Sequence, residues 1–156
     1  MKHLKKHILL FLLLIPTFVF TQSLKTQLDE FENCCRNVRG YAGALKAEVE
    51  REKAVIPDVA KKYAEKIGEC LSDVKQAYSE LKKSLNKNQF ELVKGNIAYL
   101  DDYCRRAELH YKNLMEELNN PNPKPEKVRD FSVAIYNELK KASQEGRLIR
   151  EKLGVK

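Results

Sequence analysis

Apolar residues recur at steps of four and three along most of this chain. The first run consists of Leu24, Leu28, Phe31, Cys35, Val38, Ala42, Leu45 and Val49. Similar runs follow between Ala60 and Leu81, between Phe90 and Leu118 and, less regularly, between Val128 and Leu153. Such steps make a repeat of 3.5 residues, which keeps one face of a helix turned towards its neighbours. The pattern predicts four helices, over 24–53, 58–85, 89–118 and 126–153.

The breaks between the runs contain residues that begin or interrupt helices. Pro57 followed by Asp58 suits a helix start, because the first turn does not use the missing N–H and favours a negative charge. Asn88, with Glu91 three residues later, predicts a capping box at the start of the third helix. The segment 119–125 contains three prolines, which exclude a helix there.

Long helices joined by connections of only a few residues must fold back as antiparallel neighbours. The sequence therefore predicts an all-α protein, an antiparallel up-down-up-down four-helix bundle of heptad-patterned helices. Crossover connections of the cytokine type need longer loops than this chain has. The prolines between the third and fourth runs exclude one continuous coiled coil.

Three glycines bear on this arrangement. Gly40 and Gly43 lie in the middle of the first predicted helix, where each costs about 1 kcal/mol relative to alanine. We interpret them as the point where a neighbouring helix approaches closely, in preference to a kink. Gly154 is placed to end the fourth helix.

The first 23 residues have the composition of a secretory signal peptide. A basic start containing Lys2, Lys5 and Lys6 precedes an apolar stretch over 8–20, and a small residue, Ser23, follows. The apolar stretch is shorter than the roughly 20 residues of a spanning helix, although an uncleaved anchor is the alternative. We therefore predict cleavage after Ser23, a single mature domain over 24–156, and a periplasmic or secreted location.

The four cysteines form an even set, which in an exported protein predicts disulfide bonds. A hairpin folded at Lys87 places Cys70 and Cys104 at the same height on neighbouring helices, so we predict that they are bonded. A hairpin folded near Ile56 places Cys35 opposite Ala77, so a bond from Cys35 to Cys70 would need a shift of register or a kink. The pairing of Cys34 and Cys35 otherwise stays open between a bond to each other, a link to a second chain and free buried thiols. The spacing matches neither a Cys-x-x-Cys redox motif nor a paired zinc motif.

No catalytic, metal or cofactor motif is recognisable in the sequence. His110 is the one histidine after the signal segment, and Glu108 stands at the wrong spacing for the Glu-x-x-His pair of di-iron bundles. Glycine-rich phosphate loops and nucleophile elbows are absent. We therefore predict a protein that is not an enzyme and needs no cofactor.

Two surface features suggest binding. The segment 24–123 is electrically neutral, whereas 124–156 has nine Lys and Arg against five Asp and Glu. The cations that we predict to form a surface for anionic partners are Lys140, Lys141, Arg147, Arg150 and Lys152. Tyr99 and Tyr103 form a second feature, a candidate lining for a ligand groove.

These observations favour an exported, non-enzymatic binding, inhibitor or adaptor module that acts through its surface. The expected partner is a protein or an anionic component of the envelope or the extracellular space, with peripheral membrane contact included. We expect no specific nucleic-acid binding, and a monomer or homodimer. The alternative is a small ligand-binding or redox protein that uses the bundle interior and the cysteines.

Overall fold

The computed structural model describes the backbone of residues 2–155 and the side chains of residues 23–155. It contains four helices, α1 (Lys2–Glu52), α2 (Pro57–Ser84), α3 (Lys87–Leu118) and α4 (Pro125–Lys152). No strand occurs within the described backbone. The predicted all-α four-helix fold is confirmed, and the ends of α2, α3 and α4 lie within two residues of their predicted positions.

The predicted signal segment 1–23 lies, except for Ser23, outside the residues whose side chains are described. The backbone of α1 is helical from Lys2, well before the predicted start at residue 24. Signal-peptide cleavage and export therefore stay predictions. The buried core begins at Leu24, which has no exposed surface.

Each helix packs against the next along the chain, and α1 also packs against α4. No pair of Cα atoms on the diagonal helices, α1 with α3 or α2 with α4, comes within 8 Å in the described structure. Arg150, near the end of α4, pairs with Asp29, which lies near the start of the buried part of α1. The helices thus form a ring of four antiparallel neighbours. The α2–α3 interface is the least extensive of the four.

The predicted apolar stripe of α1 is buried along its whole length, with no residue of it more than 4% exposed. Phe31 is the largest of its side chains, and its ring centre lies 6.2 Å from that of Tyr78 on α2. On the other side the ring meets Gly146 of α4, where a Cβ would lie 3.4 Å from Phe31 Cδ1. One side chain therefore positions α1 against both of its neighbours.

The start of α3 differs from the prediction. The capping box is formed by Asn86 and Gln89, two residues before the predicted pair of Asn88 and Glu91. The Gln89 N–H donates to Asn86 Oδ1 at 2.9 Å, and the Asn86 N–H donates to Gln89 Oε1 at 3.0 Å. Both pairs have the same spacing, and the helix begins at the earlier one, after a connection of two residues.

The end of α4 confirms the role predicted for Gly154. This residue has a φ of 63°, and its N–H donates to the Glu151 carbonyl at 3.1 Å. The Val155 N–H donates to the Arg150 carbonyl at 3.1 Å, and the Val155 side chain is buried. These bonds make a Schellman motif, in which a left-handed glycine satisfies carbonyls that the helix leaves free.

The connection between α3 and α4 is organised by the carboxylate of Glu117, which is buried near the end of α3. It accepts a hydrogen bond from the backbone N–H of Lys124 at 2.8 Å and one from Lys127 Nζ at 3.2 Å. The backbone bond, followed by the bond and charge of Lys127, lowers the pKa of Glu117 below its usual value of 4.5. The Glu117 carboxylate therefore joins the end of α3 to the last residue of the proline-rich segment 119–124 and to the first turn of α4.

The interpretation of Gly40 and Gly43 as a point of close helix approach is wrong. A Cβ built at either position meets nothing within 4 Å. The helix continues through both residues. Close approach occurs instead at Gly68, where a Cβ would overlap the ring and hydroxyl of Tyr111. At Gly146 an added Cβ would lie in ordinary van der Waals contact with Phe31.

Gly40→Ala and Gly43→Ala should each stabilise the protein by about 0.5–1 kcal/mol, because alanine loses less backbone entropy in a helix and the added methyl group is unobstructed. The free energy of unfolding in urea measures the effect. Gly68→Ala is the matched control and should destabilise, since its methyl group displaces Tyr111. Equal changes in the free energy of unfolding at Gly40 and Gly68 would contradict the open space at Gly40 and the packing of Tyr111 on Gly68.

Glu117→Gln should lower stability at pH 7. Because the pKa of Glu117 is lower in the folded than in the unfolded protein, its contribution is present well above pH 4.5 and is lost as the pH falls below that value. The difference between variant and wild type should therefore shrink between pH 6 and pH 3. Urea unfolding across that range measures it. Glu116→Gln, at an exposed neighbouring carboxylate, is the control and should show a smaller effect at every pH.

Candidate functional site

The five cations predicted to form an anion-binding surface do not lie together. Arg147 and Arg150 face α1. Arg150 Nη2 lies 2.6 Å from Asp29 Oδ1 and 3.4 Å from Glu32 Oε1, and Arg147 Nε lies 3.8 Å from Glu32 Oε2. Two acids of α1 therefore neutralise part of the charge excess of α4.

The other cations lie on different sides of α4. Lys152 Nζ donates to Asn96 Oδ1 of α3 at 2.7 Å. Lys141 Nζ lies 3.2 Å from Glu138 Oε1 and 5.7 Å from the centre of the Tyr103 ring. Lys140 is exposed. The structure thus places Lys141 and Lys152 beside α3, away from the arginines, and anion binding by the whole set stays a prediction.

The two tyrosines singled out in the sequence do lie together. The rings of Tyr99 and Tyr103 stack with their centres 6.3 Å apart and their planes 21° from parallel. The guanidinium of Arg106 lies 5.0 Å from the centre of the Tyr103 ring. Stacking and cation–π contacts hold Tyr103 in place. Tyr99, at the outer end of the stack, is 57% exposed.

Two exposed leucines join the tyrosines around a polar bridge between α3 and α4. The bridge is formed by Asn96, whose Nδ2 donates to Glu145 Oε2 at 2.7 Å and whose Oδ1 accepts from Lys152. Leu92 is one turn before Asn96, and Tyr99 one turn after it. On α4, Leu148 lies between the two partners of Asn96. Leu92 is 57% exposed and Leu148 is 42% exposed.

We define the α3–α4 face by these residues: Leu92, Asn96, Tyr99, Tyr103, Lys141, Glu145, Leu148 and Lys152. Gly95 lies among them, and a Cβ there would meet nothing within 4 Å, so a partner can approach the backbone closely. The arrangement offers apolar contact and hydrogen bonds with cations at its rim. Exposed apolar clusters with a polar rim are typical of interaction sites. The sequence contained one signal for this face, since Leu92 and Leu148 are leucines outside the buried stripe.

A groove of about 430 Å³ runs between α2 and α3, at the least extensive helix interface. Its apolar lining includes Leu71, Val74 and Tyr78. Two ion pairs cross the groove, Lys75 Nζ to Glu108 Oε1 at 3.4 Å and Lys82 Nζ to Asp101 Oδ2 at 3.5 Å.

Tyr78 belongs to the wall of this groove. Its hydroxyl donates to the Ile97 carbonyl at 3.1 Å. Burial, and then the neighbouring Asp101, raise the pKa of Tyr78 above its usual range. The phenol is therefore neutral at physiological pH and joins α2 to α3.

All four cysteines are free thiols, and the predicted bond between Cys70 and Cys104 is not present in the structure. The register of α2 against α3 explains why. Tyr111 packs against Gly68, so Cys70 lies level with the turn of α3 near Tyr111, more than one turn from Cys104. The prediction took Lys87 as the centre of the hairpin, whereas the packing of Tyr111 on Gly68 places that centre two to three residues later.

The cysteines occupy two kinds of surroundings. Burial raises the pKa of Cys104 to about 12 and raises that of Cys35 further. Cys35 faces Ser143, whose buried hydroxyl has no conventional hydrogen-bond partner. Burial also raises the pKa of Cys34 and of Cys70, although both are partly exposed. A redox nucleophile needs a lowered thiol pKa, and none of the four cysteines has one.

No group of three or more His, Cys, Asp or Glu residues in the described part of the chain is arranged to hold a metal ion. In the same part, no helix combines the length and hydropathy needed to cross a membrane.

The chain matches no protein-family model, no curated protein and no solved structure. The geometry of the α3–α4 face and of the α2–α3 groove is therefore what bears on function.

Arg150→Glu should destabilise the protein by about 1–2 kcal/mol, because it removes two ion pairs and places a third acid beside Asp29 and Glu32. The side chain of Arg150 is only 21% exposed, so solvent screens it incompletely. Lys140→Glu, at an exposed cation, should change the free energy of unfolding by less than about 0.5 kcal/mol. Equal effects at the two positions would show that the α1–α4 ion pairs do not contribute to stability.

Proposed function

We propose that this protein is an exported, non-enzymatic helical binding module and that the α3–α4 face is its partner-binding surface. One observation carries the proposal. Three large apolar side chains, Leu92, Tyr99 and Leu148, are exposed together around a single polar bridge between two helices.

The energetics of this face suit binding. Covering a large apolar side chain that is about half exposed gains on the order of 1 kcal/mol. Tyr99 is already stacked on Tyr103, and the backbone beneath it is helical, so little conformational entropy is lost when a partner binds. Tyrosine held in this way is a frequent anchor in protein interfaces.

The rim of the face indicates the chemistry of the partner. Lys141 and Lys152 lie beside the apolar residues. The carboxylate of Glu145 already accepts a hydrogen bond from the Asn96 side chain. A protein segment with apolar residues flanked by acids, such as the apolar side of an acidic amphipathic helix, complements this surface. The face therefore combines the two features singled out in the sequence, the tyrosine pair and part of the basic fourth helix.

A second candidate function is the binding of a small apolar anion in the α2–α3 groove. The volume of about 430 Å³ is within the range of small-molecule sites. Lys75, Lys82, Lys83 and Arg105 outnumber Asp101 and Glu108 in its lining. This candidate corresponds to the ligand-binding alternative, although it uses a groove between two helices instead of the bundle centre.

Capture of partners by the tagged protein in its own host, with mass spectrometry of the bound proteins, tests the main proposal. Leu92→Ser combined with Leu148→Ser should abolish retention of the specific partner and leave the fold intact, since both leucines are exposed. Leu109→Ser is the matched control, because Leu109 is a 51% exposed leucine of α3 outside the face. A partner retained equally by the wild type, by the double variant and by the Leu109→Ser control would refute the assignment of this face.

A further inference from the structure

The groove between α2 and α3 lies where the apolar stripe of α3 has small side chains. Leu100 and Leu114 of this stripe are fully buried, and between them the stripe has Cys104 and Ala107 at successive positions. Cys104 lines the groove together with Val74 of α2. Helix interfaces are normally filled by side chains, so the two small residues leave part of this interface open.

The length of the groove limits the length of a ligand. Its lining on α2 runs from Leu71 to Lys83, which is about 18 Å at 1.5 Å per residue. One turn beyond Leu71, the ring of Tyr111 packs on Gly68 and closes the gap between the helices. An extended carbon chain advances roughly 1.3 Å per carbon, and a hydrogen bond to its head group takes about 3 Å. The groove therefore fits a chain of roughly 10 to 12 carbons.

The rim of the groove limits the width of a ligand. The ion pairs of Lys75 with Glu108 and of Lys82 with Asp101 join the two helices across the groove, and each of the four side chains is at least 40% exposed. Val74 is buried beneath them. A single flexible chain can lie on the apolar floor below both ion pairs, whereas a fused ring system would have to separate them.

The charges of the lining favour a ligand with its negative charge at the open end. Lys82 and Lys83 lie at this end, and Glu108 lies towards the closed end. Lys82 Nζ is 3.5 Å from Asp101 Oδ2, and Lys83 Nζ is 2.7 Å from Glu80 Oε1. Both are exposed pairs, which contribute little to stability, so the two ammonium groups can turn to a ligand carboxylate.

We propose that the α2–α3 groove binds a straight-chain carboxylate, such as a medium-chain fatty acid. Its carboxylate pairs with Lys82 and Lys83, and its tail covers Val74, Cys104 and Leu71. This ligand class rests on the second candidate function, the binding of a small apolar anion in the same groove. Burial of the tail supplies the affinity, and the two lysines set the direction of the chain.

Titration calorimetry of the wild-type protein with straight-chain carboxylates from hexanoate to tetradecanoate, each below its micelle concentration, tests the length. Affinity should rise roughly fourfold with each added methylene, because each one is buried on the apolar floor. The rise should stop at roughly 10 to 12 carbons, because Tyr111 closes the groove there. An affinity that rises unchanged up to tetradecanoate would overturn the proposal. 1-Decanol, which lacks the charge, should bind roughly tenfold more weakly than decanoate.

Two variants test the position of the ligand. Cys104→Leu restores a large residue to the α3 stripe and fills the groove, so it should abolish decanoate binding. Lys82→Met combined with Lys83→Met changes exposed residues only and should weaken decanoate binding roughly tenfold.

Lys94→Met is the matched control for the lysine variant. Lys94 pairs with Glu91 of its own helix at 2.9 Å, as Lys83 pairs with Glu80, but it lies outside the groove. The control should bind decanoate as the wild type does. Equal losses of affinity in the control and in the lysine variant would contradict the assigned position of the carboxylate.

Titration with 1-naphthoate, a compact apolar anion, separates the ligand class from the candidate function on which it rests. We expect naphthoate to bind more weakly than decanoate. Naphthoate that binds at least as tightly, and is lost in the variant of Lys82 and Lys83, would overturn the straight-chain ligand but support the groove as an anion site. Binding of neither anion to the wild-type protein would overturn both.

Discussion

The burial of Phe31 determines how the helices are positioned along one another. Its ring fills the space between Tyr78 of α2 and the bare backbone at Gly146 of α4. Truncating a buried phenylalanine costs about 3–5 kcal/mol, so a shift by one turn, which would bring the ring against a side chain in place of Gly146, is strongly disfavoured. The pairing of Arg150 with Asp29 is consistent with this register.

The four helix interfaces are held together in different ways. Phe31 and the apolar stripe dominate the packing of α1 against its neighbours. The α3–α4 interface adds polar contacts, namely the Asn96 bridge and the ion pair between Arg106 Nε and Glu138 Oε2 at 3.3 Å. Between α2 and α3 the contact is limited, and ion pairs cross an open groove there. The bundle therefore leaves large side chains exposed along α3, whereas the apolar stripe of α1 is buried.

The sequence by itself determined the four helices and most of the residues that they bury, although Phe90 of the third apolar run is exposed. Every member of the run from Leu24 to Val49 is buried, Pro57 begins a helix, and Gly154 ends one. These properties depend on neighbours within one or two turns, which the sequence displays directly. The four-helix architecture followed because short connections leave few ways to arrange long helices.

Only the tertiary structure decided which side chains meet between helices. A register shift of a few residues separates Cys70 from Cys104, and it results from the packing of Tyr111 on Gly68. The long side chains of Lys141 and Arg150 could each have reached either neighbouring helix. In the structure Lys141 lies over the Tyr103 ring of α3, and Arg150 pairs with Asp29 of α1. Gly40 and Gly43 proved to have free space, whereas Gly68 proved to have none. Such contacts join residues up to about 120 positions apart along the chain, so the spacing of residues within one helix carries no information about them.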